Sequence, residues 1–456
     1  MTEHIPEEIL EVYNKVQKAG FEAYLVGGSI RNLLLKKPVK DWDMTTNATP
    51  EQILKIFPHG FYDNKFGTVG VPIDLDNQKK VVEITTFRTE DGYSDSRHPE
   101  KVSWGKSIEE DLARRDFTIN SIALEIATSD KRQAINLIDP FNGQQDIKDK
   151  LIRAVGDPKA RFKEDALRLL RGIRIATELS FNIEEKTRIE ITTDAPLIEK
   201  VSGERIRIEL LRILASDSAY EGIMLLKDTK LLEHILPELI EGIGISQVRP
   251  GRHHTDDVFT HNILSLKFCP STDPIVRFAA FLHDVGKPKV MGKDEDGLVI
   301  FYNHEIAGAN IARDICDRLK FSKKEKDKIV NLIRWHMFTV DEKVSDAGIR
   351  RFIRKIGVEN VKDMMDLRVG DRLGGGTQTA ESWRLKLFKQ RIEDQLKPLP
   401  FSINDLAIDG NDIIKELKIK PGPKIGEILQ KLFLEVDEDL SKNKKELLLK
   451  RIKELN

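Results

Sequence analysis

The sequence predicts an α+β fold, with a small mixed sheet and helices forming a head and helices forming the rest of the chain. Strand-like runs such as FEAYLVGG (21–28) and KKVVEITTFR (79–88) are interspersed with helical segments in the first third. From about residue 155 onward, apolar residues recur almost wholly at helical spacing. A chain of 456 residues exceeds one compact core, so we expect several domains.

Composition excludes several classes of protein. Lys and Arg number 74 against 75 Asp and Glu, so the net charge does not predict a polyanion partner, although RRFIRK (350–355) and KNKKELLLKRIK (442–453) predict local basic faces. The two cysteines, Cys269 and Cys316, exclude a disulfide framework. No signal peptide or membrane-spanning run is present, so we expect a cytoplasmic protein without a membrane partner.

The first candidate site lies in LVGGSIRNLLLKKPVKDWDMTT (25–46). On a strand, Asp41 and Asp43 project to the same side, and their mutual repulsion is relieved by a cation such as Mg²⁺. Glu83 lies in another predicted strand and supplies a third carboxylate. Three such carboxylates hold two metals roughly 4 Å apart, an arrangement suited to phosphoryl or nucleotidyl transfer.

The same stretch also predicts a phosphate-binding site. Gly27 and Gly28 precede a predicted helix over 29–35, where free backbone N–H groups and the helix dipole favour an anion. Arg31 adds positive charge beside them. A nucleoside triphosphate fits both features.

Two further strings carry candidate nucleotide-binding residues. In EEDLARRDFTINSIAL (109–124), Arg114 and Arg115 suit phosphate and Asp116 suits a ribose hydroxyl, while Asn120, one helical turn on, suits a supporting role for either contact. EDALRLLRGIRIATEL (164–179) predicts one helix that carries, as candidates, Asp165, Arg168, Arg171 and Arg174.

Asp165 and Arg168 stand three residues apart and are therefore expected to be neighbours on that helix, with Glu164 orienting Arg168. On spacing alone, an ordinary intrahelical ion pair is the preferred explanation. As a pair they also match the base edge of cytosine or adenine, since a carboxylate accepts from the amino group and a guanidinium donates to the ring nitrogen. Uracil and guanine present a carbonyl instead, a mismatch costing about 1–3 kcal/mol.

These strings resemble the class II tRNA nucleotidyltransferase and bacterial poly(A) polymerase family, within the polymerase-β-like superfamily. GGSIRN followed by DWD matches its first signature, except that Asn32 stands where an Asp is usual. FRTEDGYSDSRHPEKVSW (87–104) resembles its flexible segment, with His98 at the place of a common Arg. The resemblance implies two Mg²⁺ ions at the head site, a base-templating role for Asp165 and Arg168, and tRNA, CTP and ATP as partners.

Histidines cluster in the middle of the chain. Spaced His and Asp residues in helical contexts suit Mn, Fe, Ni, Zn or Mg. They resemble an HD phosphohydrolase domain, which implies a divalent metal bound by His261, His283, Asp284 and Asp371, and a second metal with the extra ligands His304 and His336. The resemblance implies phosphatase or cyclic phosphodiesterase activity towards nucleotide ends.

The resemblance divides the chain into four predicted domains: a nucleotidyltransferase head over 1–145, a helical neck over 146–235, an HD domain over 236–375 and a tRNA-binding tail over 376–456. It implies addition of C, C and A to tRNA. The motifs also fit a CC-adding or A-adding specialist, a poly(A) polymerase, or a mainly hydrolytic HD enzyme with an RNA-binding head. No obligate protein partner follows from the sequence.

Overall fold

The computed structural model describes two compact units, Met1–Pro237 and Glu238–Asn456. The residues it describes are 4–62, 67–75, 77–93, 99–105, 107–129, 132–247, 257–396 and 402–455. Among these, no helix has the length and apolar character needed to cross a membrane.

The strands belong mainly to the head. Their bounds are β1 Ala23–Val26, β2 Asp43–Thr46, β3 Phe61–Tyr62, β4 Thr68–Leu75, β5 Gln78–Thr86, β6 Arg88–Tyr93, β7 Pro99–Trp104, β8 Ala123–Ser129, β9 Arg132–Ile138, β10 Leu151–Ile152, β11 Asn182–Ile183, β12 Gly292–Lys293 and β13 Val299–Ile300. The main sheet has the order β3-β4-β5-β2-β1-β8-β9. It is mixed, because β2 pairs with β5 in parallel while its other pairings are antiparallel. The α+β prediction with a small mixed sheet in the head is confirmed.

Helices account for most of the remaining described chain. In the first unit and at its junction they are α1 Glu7–Lys18, α2 Gly28–Leu34, α3 Pro50–Ile56, α4 Ile108–Ala113, α5 Gly143–Asp149, α6 Pro158–Glu164, α7 Leu167–Leu179, α8 Glu185–Thr193, α9 Gly203–Ala215, α10 Ala219–Asp228, α11 Leu231–Ile235 and α12 Pro237–Ile240. In the second unit they are α13 Val258–Phe268, α14 Pro274–Leu282, α15 His304–Arg318, α16 Lys323–Trp335, α17 Asp346–Ile356, α18 Val361–Gly374, α19 Trp383–Gln395, α20 Gly410–Leu417, α21 Pro423–Glu438 and α22 Lys445–Glu454. Two short strand pairs, β10–β11 and β12–β13, interrupt this helical remainder.

Apolar periodicity explains how the head is assembled. Helix α1 buries Ile9, Val12, Tyr13 and Val16, which fall on one helical face. The Tyr13 hydroxyl accepts a hydrogen bond from the Ile126 N–H at 2.8 Å. On β2, Met44 is buried like Trp42 just before the strand, so the acidic residues that alternate with them project to the other side.

In the second unit, close backbone contacts set the helix positions. A Cβ on Gly370 of α18 would lie 2.5 Å from the Ser265 carbonyl oxygen of α13, and one on Gly374 would lie 2.7 Å from the Ser265 nitrogen. Only glycine allows α13 and α18 to approach so closely. The C-terminal helices α20 to α22 have their own apolar cluster, which includes Ile413, Leu432, Val436 and Ile452.

Candidate functional site

The head carboxylates lie on or directly before two neighbouring strands, near the start of β2. Asp43 is the register partner of Glu83 on the parallel neighbour β5, so both side chains project from the same face of the sheet. Asp41 was expected on the same strand as Asp43, but β2 starts at Asp43 and Asp41 precedes it. The β1–β2 ladder ends at Asp43, because its partner Val26 is the last residue of β1 and the backbone turns at the next residue, Gly27.

The surroundings of Asp43 suit a cation. Burial raises the pKa of Asp43, with Arg115 opposing this shift and Asp41 adding to it. A carboxyl group whose pKa is raised in this way gains most from a bound cation, because the cation stabilises its ionised form. Oxygen donors of this kind are the ligands that Mg²⁺ prefers, so the donor set fits the expected ion. Among the described residues, Asp41, Asp43 and Glu83 do not form a group with ligand atoms all within 4.8 Å.

Gly27 allows Arg115 to approach this carboxylate. Its φ of 75° is unfavourable for residues with a Cβ. A Cβ there would also lie 3.1 Å from Nη1 of Arg115 and 3.5 Å from Oδ2 of Asp43. The glycine turn therefore brings a guanidinium and a catalytic candidate together at the start of α2.

Asp116 lies at the centre of a polar network. Its Oδ2 accepts from Nε and Nη2 of Arg171 at 2.9 and 2.6 Å, and its Oδ1 accepts from Nδ2 of Asn120 at 3.1 Å. Burial on its own raises the pKa of Asp116, but Arg171 and Asn120 outweigh it and hold that pKa well below the usual range. Asn120 in turn accepts from Nη1 of Arg31 at 2.6 Å, which connects α2 to α7.

Sequence reasoning missed Asp111, the residue that holds the paired arginines. Its buried carboxylate accepts from Nη2 of Arg114 at 2.6 Å and from Nη2 of Arg115 at 3.1 Å. Burial raises the pKa of Asp111, but the two arginines bring it below its usual value. The signal was available, since an acid three and four residues before two arginines faces both on a helix.

The prediction that Asp165 and Arg168 lie on one helix is wrong. Asp165 is extended, with φ −145° and ψ 104°, between the end of α6 and the start of α7. Its Oδ1 accepts from the Leu167 N–H at 3.1 Å, in a side-chain turn that precedes α7, whose N-cap residue is Ala166, so the aspartate does not continue α6. Its Oδ2 accepts from Nη2 of Arg205 at 2.7 Å, and this partner was not foreseen.

Arg168 is held by other groups. Its Nη1 donates to Oε2 of Glu164 at 2.6 Å and to the Arg161 carbonyl at 3.1 Å, and its Nη2 donates to the Arg114 carbonyl at 2.9 Å. A guanidinium has five N–H donors, so these three contacts leave it able to donate to a base as well.

A cavity of about 770 Å³ in the first unit collects many of the predicted residues. Those that line it are Gly28, Arg31, Asp41, Asp43, Asn120, Arg171 and Arg174. Those that are not part of its lining are Gly27, Glu83, Arg114, Arg115, Asp116, Asp165 and Arg168. Further lining residues that sequence reasoning did not select include Asn32, Lys37, Lys40, Glu178 and Arg212. Residues 94–98, including His98, lie outside the described residues.

The second site brings together residues from five helices of the second unit. His261 lies in α13, His283 and Asp284 directly follow α14, His304 begins α15, His336 directly follows α16, and Asp371 lies in α18. The HDVG turn packs tightly, since a Cβ on Gly286 would lie 2.2 Å from the His304 carbonyl oxygen. All six predicted residues therefore lie in one cluster.

Asp284 stands between two groups of ligands. Its Oδ2 lies 3.2 Å from Nε2 of both His261 and His283, and its Oδ1 lies 3.2 Å from Nε2 of His304 and 3.6 Å from that of His336. Asp371 Oδ1 lies 3.3 Å from Nε2 of His261, on the first side. The cluster thus offers two adjoining donor sets that share one carboxylate.

Backbone contacts orient the imidazoles for metal binding. Nδ1 of His283, His304 and His336 lies 2.7–2.8 Å from the carbonyl oxygens of Ala280, Phe301 and Ile333, respectively. Such contacts place the proton on Nδ1 and leave the Nε2 lone pair directed at the centre of the cluster. The mixed imidazole and carboxylate donors fit a divalent transition metal.

Lys287 is a further component that the sequence analysis did not select. Its ammonium lies 2.5 Å from Oδ2 of Asp284 and donates to Oε1 of Gln247. Burial lowers the pKa of His283, but Asp284 and Asp371 raise it overall to about 10. The carboxylates thus stabilise positive charge, whether on a histidine or on a metal.

Comparison with known proteins gives three matching family models. One described as the poly A polymerase head domain matches residues 23–153, and one described as a probable RNA and SrmB-binding site of polymerase A matches 180–242. A third, described as tRNA nucleotidyltransferase domain 2, putative, matches 298–452.

Two of the proteins similar to this chain are named CCA-adding enzymes. The chain is 32% identical to a CCA-adding enzyme of Pediococcus pentosaceus over 452 residues, which cover 98% of each protein. It is 47% identical to a CCA-adding enzyme of Streptococcus mutans over 224 residues, or 48% of this chain and 53% of that one. The crystal structure of the Bacillus stearothermophilus CCA-adding enzyme in complex with CTP is similar with a TM-score of 0.70 and 26% identity, covering 99% of this chain and 97% of that one.

Proposed function

The chain belongs to the family of CCA-adding enzymes, which are tRNA nucleotidyltransferases, and on this premise we propose that Asp41, Asp43 and Glu83 form its catalytic metal site. The register that sets Asp43, which lines the 770 Å³ cavity together with Asp41, beside Glu83 on β5 is the observation that carries this assignment. Two Mg²⁺ ions held there would stabilise the attacking and leaving oxygens of nucleotidyl transfer.

The remaining head residues receive and orient the nucleotide. Gly28 and Arg31 line the cavity beside the carboxylates and suit the triphosphate of CTP or ATP. Asp116, kept ionised by Arg171, accepts from a ribose hydroxyl, and Arg114 and Arg115 are held by Asp111 for phosphate contact. The 3′-hydroxyl of tRNA attacks the α-phosphate, and pyrophosphate leaves.

Base selection is assigned to Asp165 and Arg168. The carboxylate accepts from the amino group of cytosine or adenine, and the guanidinium donates to the neighbouring ring nitrogen. The contacts with Arg205 and Glu164 support this assignment, because they hold the two side chains in defined orientations.

The test is extension of a tRNA that lacks its 3′ CCA, with Mg²⁺ and CTP, ATP or both. We expect three added residues with both nucleotides and two with CTP alone. Asp41→Ala abolishes addition while tRNA binding persists, and the matched control Asp74→Ala, an exposed acid of the same sheet, leaves it within about twofold. A product that carries only two added residues when both nucleotides are present indicates a CC-adding specialist. A product with a long run of added A residues indicates a poly(A) polymerase. Activity retained in Asp41→Ala contradicts the metal assignment.

A second activity is supported by the position of Asp284 between two donor sets. We propose that the histidine cluster binds two divalent metals and hydrolyses phosphoesters at nucleotide ends. His261, His283, Asp284 and Asp371 would hold one metal, and His304 and His336 would supply ligands for the other. Bound metals would supply an activated water and neutralise charge on the phosphoryl oxygens.

Metal content separates this proposal from a structural role for the cluster. In the Asp41→Ala background, which removes the head site, we expect about two equivalents of Mn²⁺ per chain after dialysis, measured by mass spectrometry. Asp284→Ala loses both metals together with hydrolysis of a 2′,3′-cyclic nucleotide. The control His234→Ala, a histidine paired with Glu199 outside the cluster, retains both. A metal-free parent protein contradicts the proposal.

A further inference from the structure

Glu209 of α9 is a buried acid that touches two cavity-lining arginines. Only 5% of Glu209 is exposed, as is 5% of Arg174. Oε2 of Glu209 lies 2.9 Å from Nε of Arg174, and its Oε1 lies 3.9 Å from Nη1 of Arg171. Both arginines lie on α7 and line the cavity with Arg31 and Asn120. Glu209 itself is not part of the lining, so it acts on the cavity only through these side chains.

Each arginine depends on Glu209 to a different degree. Arg171 is already fixed by two hydrogen bonds to Asp116. Arg174 has a much weaker second partner, since Oε2 of Glu178 lies 4.0 Å away and Glu178 is engaged by Arg212 at 2.8 Å. Removing Glu209 would leave Arg174 with an uncompensated buried charge, which drives a side chain towards another anion or solvent.

We propose that Glu209 is a positioning residue for nucleotide binding, which holds the guanidinium of Arg174 at the cavity wall and steadies Arg171 from the side opposite Asp116. The inference rests on the proposed nucleotide-binding role of this cavity. It extends the network Arg31–Asn120–Asp116–Arg171 into α9, so that a buried residue outside the cavity lining fixes the position of side chains in the cavity wall.

A purely electrostatic role for Glu209 predicts a change in nucleotide binding of the opposite sign. If Glu209 only offset positive charge, its removal would strengthen the field on a triphosphate and tighten nucleotide binding. If it positions Arg174, its removal weakens binding, because the donor leaves the wall. The sign of the change in nucleotide KM therefore distinguishes the two roles.

The experiment compares wild type with Glu209→Ala and the isosteric Glu209→Gln in steady-state addition to tRNA, with CTP and ATP varied separately. We expect Glu209→Ala to raise the KM for both nucleotides about tenfold, equivalent to ~1.4 kcal/mol. The kcat and the KM for tRNA stay within about twofold, since the metal site and the RNA contacts are untouched. Glu209→Gln keeps an acceptor without the charge and gives an intermediate KM. The control Glu204→Gln, an exposed glutamate of the same helix, leaves every constant unchanged.

The outcomes separate the possible failures. An unchanged or lowered nucleotide KM in Glu209→Ala and Glu209→Gln, with an active wild type, overturns the positioning role. A loss confined to kcat and thermal stability in both variants also overturns it, because a merely structural residue behaves in that way. A wild type that adds no nucleotide to tRNA overturns the proposed function and this inference with it.

Discussion

At the scale of single residues, buried acids rather than arginines organise the head site. Asp111 holds Arg114 and Arg115, and Asp116 holds Arg171. Each acid is removed from water, and each is kept ionised by the guanidinium groups that it orients. A long arginine side chain loses its rotamer freedom on binding, and prior pairing with an acid reduces that cost.

The Asp116–Arg171 pair predicts a pH-dependent stability. Since the folded pKa of Asp116 is depressed, its stabilisation is fully present above the ordinary Asp pKa of about 3.9 and is lost as pH falls below it towards the folded pKa. Asp116→Asn should cost about 2 kcal/mol at pH 7 in urea unfolding. The loss in free energy of unfolding caused by Asp116→Asn should be smaller at pH 3. Asp149→Asn, an exposed control, should cost under about 0.5 kcal/mol at either pH. A deficit of Asp116→Asn that is independent of pH contradicts the assignment.

Asn32, which stands where the resemblance implies an Asp, makes three side-chain hydrogen bonds with two partner residues. Its Oδ1 accepts from Nε and Nη2 of Arg31, and its Nδ2 donates to the Pro38 carbonyl at 3.3 Å. Asn32→Asp keeps the acceptor, loses the donor, and adds negative charge to the wall of the cavity. We expect the KM for CTP to rise about threefold, or ~0.6 kcal/mol, in extension assays. A lowered KM would indicate that the added charge improves the orientation of Arg31.

At the scale of elements, helix ends and helix contacts place the functional groups. The break between α6 and α7 lets Asp165 accept a hydrogen bond from the Leu167 N–H and gives it Arg205 as a partner. In the second unit, helix ends deliver His283, Asp284, His304 and His336 to one cluster. A helix terminus places a side chain at a fixed point while its last turn supplies the orienting carbonyl, as Ala280 does for His283.

A buried ion pair joins α17 to α21 and predicts a large stability effect. Oδ1 of Asp437 accepts from Nε of Arg350 at 2.9 Å, and its Oδ2 accepts from Nη2 of Arg354 at 2.6 Å. Asp437→Ala leaves two guanidinium groups without this partner, and we expect a loss of about 3–5 kcal/mol in urea unfolding. Its neighbour Glu438 pairs with Arg351 at the surface, so Glu438→Ala should cost less than about 1 kcal/mol. Equal costs for the two variants contradict this account.

At the scale of the whole molecule, the two compact units carry separate sites. The carboxylates and the cavity proposed to bind the nucleotide lie in residues 1–237, while the histidine cluster lies in 238–456. The two sites share no residue. The chemistry proposed for them is also opposite in direction, since one forms a phosphodiester bond and the other hydrolyses a phosphoester.

Separate sites predict separable activities. Asp41→Ala should abolish nucleotide addition and leave hydrolysis of a 2′,3′-cyclic nucleotide within about twofold, and His283→Ala should do the reverse. Both activities are measured on the same preparations of the full chain, with circular dichroism as a check on folding. Loss of addition in a well-folded His283→Ala would show that the two sites are coupled.

The sequence by itself determined the α+β class, the family, and the identity of the candidate ligands, because motif spacing and apolar periodicity are local properties. It placed Asp41, Asp43 and the six residues of the histidine cluster in their groups, since residue type alone limits which side chains bind metal. Only the tertiary structure decided which groups meet across the fold. Asp165 meets Arg205 and Glu209 meets Arg174 through helix packing, whereas Asp111 and Lys287 pair with residues three or four positions away, as local spacing permits. Asp165 leaves the predicted helix because its carboxylate accepts from the Leu167 N–H at the start of α7, which a continuous apolar pattern does not reveal. Contacts between residues distant in sequence depend on the packing of whole elements, which periodicity does not encode.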